Sequence, residues 1–348
     1  AKGIDGEFAE RVYNQILGFG EYGFPESHAA SFALIAYCTA WMKCHYPAEF
    51  TCALLNAWPM GFYAPSTIVE DARRKGVEMR PIDVLASDWH CTLEPVEPVG
   101  IGPASDSGRF AVRMGLRFVK GMGEEDWERI RAYRARLSGR SGGAGVSHPL
   151  SRGPSGGSPV EEFVTSTGID EGVLAALSQC GALSALSGKR REALWEISGA
   201  GRWRGPDQRG RGEKAVREEG LLVRGEEIMP DFSVLNQLES IGWDYLSTGH
   251  SVQGHPLEPF RQELADQGLP DAQGVGRGQD GSEVSYAGMV ICRQRPMTAG
   301  GVVFMTLEDE SGFVNLVVWS TVFEKFRKVI LSSTVLGVTG KLQSHDGV

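Results

Sequence analysis

The sequence predicts a multidomain α+β protein, and three observations carry that prediction. Apolar residues recur at helical spacing through residues 1–85. Glycine-punctuated turns between helical runs occupy the middle of the chain. From residue 283 onward, short β-rich runs alternate with turn residues. A length of 348 residues leaves room for two or three domains, each with its own core. The pattern places boundaries at 1–85, 86–200, 201–282 and 283–348.

The first segment reads as helical. Phe8, Val12, Ile16 and Leu17 share one helix face, and Gly18, Gly20 and Gly23 end that pattern. Ser27 is placed to cap a helix over His28–Tyr46 that stops before Pro47. Helices over Ala48–Ala57 and Thr67–Lys75 follow, the second ended by Gly76. In the second segment a strand over Phe110–Phe118 precedes VKGMG and a helix over Glu124–Leu137. Residues 138–159 are Gly/Ser/Pro-rich and are expected to form a flexible insert. Helices resume over Asp170–Gln179 and Lys189–Ile197. Gly199–Gly220 is a polar connector, with further helix expected between Phe232 and Ala265. The last segment reads strand (Val284–Cys292), strand (Val302–Leu307), strand (Phe313–Trp319), helix (Thr321–Ile330), strand (Thr334–Leu342). That is the order of an OB-fold β-barrel lacking its last strand, so a partial, truncated barrel is expected.

Composition narrows the function classes. Hydrophobic residues make up 41% and charged residues 23%, as in ordinary globular domains. No apolar run approaches the length of a membrane span, so no membrane partner is expected. The N-terminus lacks an initiator Met and an apolar signal region, and is read as the interior of a longer protein. The six cysteines form no C-x-x-C pair, which leaves zinc unsupported and points to free thiols in a reducing, cytoplasmic compartment.

The net charge is -9, but its distribution is uneven. Arg109–Arg152 holds ten Lys/Arg against four Asp/Glu, or +6, and Gly181–Arg217 holds nine against four, or +5. Such local charge could dock phosphate or could belong to solvated helix faces. VKGMG has the form of a helix-hairpin-helix turn: Gly121 and Gly123 let the backbone approach a DNA phosphate, and Lys120 adds charge. Glu124, Glu125 and Asp126 oppose that role. Ile169–Ile197 reads as a second helix–turn–helix about Gly181, with one glycine only. In the β-rich segment, Phe304, Phe313 and Trp319 are candidates for stacking single-stranded bases, although alternation also suits them to a core. Glu308, Asp309 and Glu310 read as a solvated hairpin turn, with a metal site as the competing interpretation. His250 and His255 read as part of a packed connector.

Longer motifs carry a resemblance. Tyr22–Phe50, YGFPESHAASFALIAYCTAWMKCHYPAEF, resembles the fingers region of the bacterial C-family DNA polymerases, the polymerase III alpha family. Pro25-Glu26 and the continuation Leu54–Trp89 are similar to the error-prone branch. Arg293–Pro296, Val317–Trp319 and the linker Thr248–Phe260 resemble the OB domain and connector of that branch, and the two hairpins resemble its tandem helix-hairpin-helix domain. The resemblance implies that Tyr22, Ser27 and His28 contact nucleotide or template. It implies DNA contacts at Lys120, Gly121, Gly123 and Gly181. It implies a whole protein that is an error-prone DNA-directed DNA polymerase of replication and damage-induced translesion synthesis. Mg²⁺, primer–template and single-stranded DNA, deoxynucleotide triphosphates, a sliding clamp and damage-tolerance accessory proteins come with it. Nucleotidyl transfer needs paired carboxylates on two metal ions. No D-x-D occurs in this sequence, so no catalytic or metal-binding residue is assigned and the chain alone is expected to be inactive. A stand-alone, non-catalytic DNA-binding accessory protein is the alternative.

Overall fold

A computed structural model describes residues 10, 13–14, 26–61, 63–96, 110–140, 158–202 and 230–344. The chain begins there with α1 (Glu26–His45), followed across Tyr46 by α2 (Pro47–Ala57). Proline suits the first turn of α2, where its missing N–H has no partner to lose. Ala48, Thr51, Cys52 and Leu55 form the buried stripe of α2. Next, α3 (Pro65–Arg74) buries Ile68, Val69 and Ala72, and the chain leaves it through Gly76 at φ +78°. The helix α1 starts at Glu26, so Ser27 lies within its first turn and does not cap it, contrary to the sequence expectation. The amphipathic run over Phe8–Leu17 falls largely outside the described residues.

Three short strands, β1 (Met79–Arg80), β2 (Thr92–Pro95) and β3 (Phe110–Arg113), form a sheet in the order β1-β3-β2. The strand expected over Phe110–Phe118 ends at Arg113, and Leu116–Phe118 is a 3₁₀ turn. Its cause is close packing: a Cβ on Gly115 would lie 2.5 Å from the carbonyl oxygen of Trp89. The amides of Leu116 and Arg117 donate to the carbonyls of Asp88 and Trp89. Four helices follow: α4 (Glu124–Arg140), α5 (Pro159–Thr167), α6 (Glu171–Gln179) and α7 (Arg190–Arg202). Ser158 and Asp170 cap α5 and α6 through their side-chain oxygens. The ends of the expected 138–159 insert are therefore helical, and 141–157 lie outside the described residues. Tyr133 and Phe163 meet edge-on at 5.3 Å within one core that runs from Ala48 to Ile197.

The connector contributes α8 (Gln237–Thr248), α9 (Arg261–Asp266) and α10 (Ala272–Gly276). Asn236 and Glu239 form a reciprocal capping box at the start of α8, and Gly249 ends it at φ +77°. The β-rich segment forms β4 (Glu283–Gln294), β5 (Val303–Glu308), β6 (Phe313–Val318), α11 (Ser320–Ser332) and β7 (Val335–Lys341). Its antiparallel sheet has the order β6-β5-β4-β7, with a register shift in β4 between Val290 and Cys292. Val303, Met305 and Leu307 face a second core with Tyr286, Phe323 and Ile330. Helical, helix-hairpin-helix and curled β parts together make the expected multidomain α+β architecture.

Candidate nucleic-acid interface

The VKGMG turn enters α4 as anticipated. Gly121 has φ +79°, a conformation that glycine adopts without strain. Gly123 caps α4, and its amide donates to Asp126 Oδ2 at 3.1 Å. Lys120 is exposed but engaged. Its amide donates to the Ser247 carbonyl at 2.9 Å, and its Nζ donates to the carbonyls of Leu246 at 2.7 Å and Tyr245 at 3.2 Å. Those carbonyls lie in the last turn of α8, where a cation is favoured, and that of Tyr245 also accepts the Gly249 amide. The hairpin is thus fastened to the connector.

Other cations of the +6 run are also engaged. Arg113 pairs with Glu94 at 2.8 Å, and Arg117 donates to the carbonyls of Asn56 and Trp58. Arg129 and Arg136 donate to the carbonyls of Gly168 and Ser166. Arg131 pairs with Glu128 at 2.6 Å. Arg134, over the Trp127 ring at 4.9 Å, donates to the carbonyls of Val84 and Ser87. Most of the described charge in this run is engaged by neighbouring oxygens, and Arg129, Arg134 and Arg136 fasten α4 to its neighbours.

The second hairpin has the same character. Gly181 has φ +78°, and a Cβ there would lie 2.7 Å from Arg190 Nε. The glycine makes room for Arg190, whose Nη1 meets Asp244 Oδ1 of α8 at 2.6 Å. Burial pushes the Asp244 carboxyl up, while the guanidinium and Ser251 Oγ hold it down. Arg191 bonds Glu239 at 2.9 Å and Ser233, and Lys189 reaches Glu192 and Asp231. Gly181 is accounted for by this packing, with its amide donated to the Ser178 carbonyl, and no surface for DNA is needed to explain it. Beside this joint, buried His250 packs edge-on to Phe118 at 5.6 Å. Burial pushes the rings of both His250 and His255 down to about 4, so both are neutral packed residues.

The β-rich segment presents a different surface. Phe304 lies opposite Val317, Thr306 opposite Asn315, and Glu308 opposite Phe313 on β5 and β6. Phe304 is 41% exposed because the alternate residues of β5 fill the core, and Trp319, between β6 and α11, is 62% exposed. Phe313 is also 41% exposed, but the Arg74 guanidinium covers its ring at 4.4 Å. The expected solvated turn at Glu308–Glu310 is corrected: Glu308 and Asp309 are buried. Arg74 Nη2 reaches Glu308 Oε1 at 3.0 Å, and Arg261 bonds both Asp309 and Glu310. Asp309 additionally accepts from the amides of Ala272, Ser311 and Gly312. Burial pushes Glu308 up to about 7 against the pull of Arg74. Sequence reasoning missed Arg74, Arg261 and α8, since their partners lie far away along the chain.

His28 is exposed near the start of α1 and meets the Phe32 ring at 4.4 Å. Tyr22 lies outside the described residues, as does the side chain of Ser27. Among the described residues no group of three or more His, Cys, Asp or Glu could hold a metal ion. The acidic cluster Glu308–Glu310 is neutralised by arginines and does not fit a magnesium site. No described helix is long and apolar enough to cross a membrane. The described cysteines are free thiols; burial pushes Cys91 and Cys180 up to about 12, which makes them inert.

Family models match two parts of the chain. A model of the OB-fold nucleic acid binding domain matches residues 284–348, and a model of the helix-hairpin-helix motif matches residues 76–140. The error-prone DNA polymerase of Pseudomonas syringae pv. tomato is 41% identical over 349 aligned positions, covering 100% of this chain and 30% of that protein. That of Methylococcus capsulatus is 39% identical over 100% of this chain and 31% of its own length. Error-prone DNA polymerase 1 of Agrobacterium fabrum is 40% identical over 100% of this chain and 30% of its own length. The chain therefore spans about a third of the curated relatives it matches. Through all of its own length it is homologous to the bacterial error-prone DNA polymerases, relatives of polymerase III alpha, and it carries their helix-hairpin-helix and OB-fold modules.

Proposed function

We propose that this chain is the DNA-handling part of a longer error-prone DNA-directed DNA polymerase acting in replication and damage-induced translesion synthesis. One observation carries the proposal. The alignment at about 40% identity covers the whole chain, including the OB-fold match over residues 284–348 in which Phe304 and Trp319 are exposed. In this reading Tyr22, Ser27 and His28 contact the incoming nucleotide or the template. The turn at Gly121 and Gly123 approaches a phosphate of the duplex. Phe304 and Trp319 stack bases of the single-stranded template, with Phe313 at the edge of that surface.

The whole polymerase would use deoxynucleotide triphosphates and Mg²⁺. The carboxylates described here do not form its site, and no step is assigned to them. A sliding clamp and damage-tolerance accessory proteins are the expected partners, in a bacterial cytoplasm that keeps the thiols reduced. Primer extension tests the proposal. The full-length protein should incorporate nucleotides on a primed template in the presence of Mg²⁺, and this chain alone should not. A full-length protein that binds primed DNA but never extends it would overturn the polymerase assignment.

A further inference from the structure

Oxygen partners engage nearly every described cation whose side chain is placed. The exceptions are Lys325, Arg327, Lys328 and Lys341, and three of these lie within one turn of α11. Lys325 touches only the Phe326 ring, 5.0 Å from its centroid, and Arg327 stands 6.0 Å from the Phe323 ring. The single carboxylate of α11 is Glu324, 3.8 Å from Arg295 of the β4–β5 loop. Beside these cations, Phe326 is 46% exposed. Trp319 joins the end of β6 to the start of α11 and is 62% exposed. Exposed aromatic rings thus occur on β5, at the junction of β6 with α11 and on α11 itself, where the unpaired cations lie.

We propose that α11 is a second single-stranded-DNA contact surface, with Lys325, Arg327 and Lys328 on phosphates and Trp319 turning the strand from the sheet onto the helix. The inference rests on the OB segment being a nucleic-acid binder. It assigns phosphate neutralisation to the OB helix, because the hairpin cations are held by carbonyls and carboxylates. A flexible polyanion fits three cations that carry no counter-charge of their own, and aromatic rings beside them fit bases.

The test is fluorescence anisotropy of this chain with labelled oligothymidylates of roughly 8 and roughly 20 nucleotides, below and above one OB footprint. A variant combining Lys325→Ser, Arg327→Ser and Lys328→Ser should bind the longer oligonucleotide about tenfold more weakly at low salt. The magnitude of its salt slope should fall by about 2, near 0.7 for each lost phosphate contact. Binding of the shorter oligonucleotide should be unchanged, and Lys325→Arg with Lys328→Arg should keep parental binding. If the triple variant binds both oligonucleotides like the parent at every salt, α11 is not a contact surface. If poly-aspartate competes as well as DNA, the surface is a docking site for acidic protein. If the parent chain binds neither oligonucleotide, the nucleic-acid reading of the OB segment fails first. Circular dichroism confirms folding, and all three substituted side chains are exposed.

Discussion

Arg74 on α3 and Glu308 on β5 are 234 residues apart in sequence and meet at 3.0 Å. The same guanidinium covers the Phe313 ring and donates to the Asp309 carbonyl at 3.3 Å. One side chain thereby fastens the OB segment to the helical part that carries the hairpin.

Arg74→Ala should loosen that joint. Removing one partner of a buried pair usually costs about 3–5 kcal/mol. Glu308 titrates near neutrality and can accept a proton when its partner is lost, so a loss of about 2 kcal/mol is expected. Hydrogen exchange at residues 303–313 should accelerate more than within α6. Equal exchange in parent and variant would show that the joint is held elsewhere.

Gly181→Ala should break the second hairpin from within. The new Cβ would fall against Arg190 Nε, and a positive φ adds strain for any L side chain. A destabilisation of about 2–4 kcal/mol is expected from urea unfolding, since Arg190 must leave Asp244. Combined with Asp244→Asn the losses should be clearly less than additive. Full additivity would separate the glycine from the ion pair.

Stability should fall in mild acid through His250. Its ring is neutral when folded, with a value of about 4, and titrates near 6.5 when unfolded. A depressed base contributes stability that is complete above the unfolded value and is lost as pH falls toward the folded one. Between pH 7 and pH 4.5 this amounts to roughly 2 kcal/mol. His250→Gln should flatten the urea midpoint against pH across that window, and an unchanged slope would assign the acid sensitivity elsewhere.

Phe304→Ala and Trp319→Ala should each weaken single-stranded DNA binding by about 1–3 kcal/mol, as for lost base stacking. Phe313→Ala should cost binding less and stability more, because Arg74 occupies its ring. Anisotropy and thermal unfolding, measured on all three variants, separate the two effects. The reverse ranking would place the binding surface over Phe313.

Replacing Gly121 and Gly123 with Val tests the hairpin. The Gly121 conformation is costly for a β-branched residue, so some loss of stability is expected. Duplex binding should fall in a variant that remains folded. By contrast, Lys120→Met should lower stability by about 1 kcal/mol and leave the salt dependence of binding near the parental slope, since Nζ caps α8. A slope smaller by about 1 would mean that Lys120 leaves α8 to meet a phosphate.

Local periodicity made the elements legible. The helix Glu171–Gln179, and all four strands of the β-rich segment, stand within two residues of where the pattern put them. Fates decided by distant partners were not legible. Glu308–Glu310 has the composition of a turn, and only Arg74 and Arg261 bury it. Counting charge found two basic runs but could not show that carbonyl oxygens claim most of their described guanidiniums. Alternation along β5 favoured the core for Phe304, but the opposite parity meets Phe323 and Ile330 and leaves Phe304 exposed. The family resemblance supplied what local physics could not, the link from these surfaces to DNA synthesis.

The fastening of both hairpins to α8 bears on where this polypeptide can be cut. A truncation ending at residue 200 looks natural from composition, since a polar Gly/Arg-rich stretch follows. It would strip Lys120 of two carbonyl acceptors and leave Arg190 and Arg191 without Asp244 and Glu239. An excised hairpin pair would then free cations that are engaged in the intact protein. It would bind polyanions indiscriminately, and its measured affinity for DNA would overstate that of the parent.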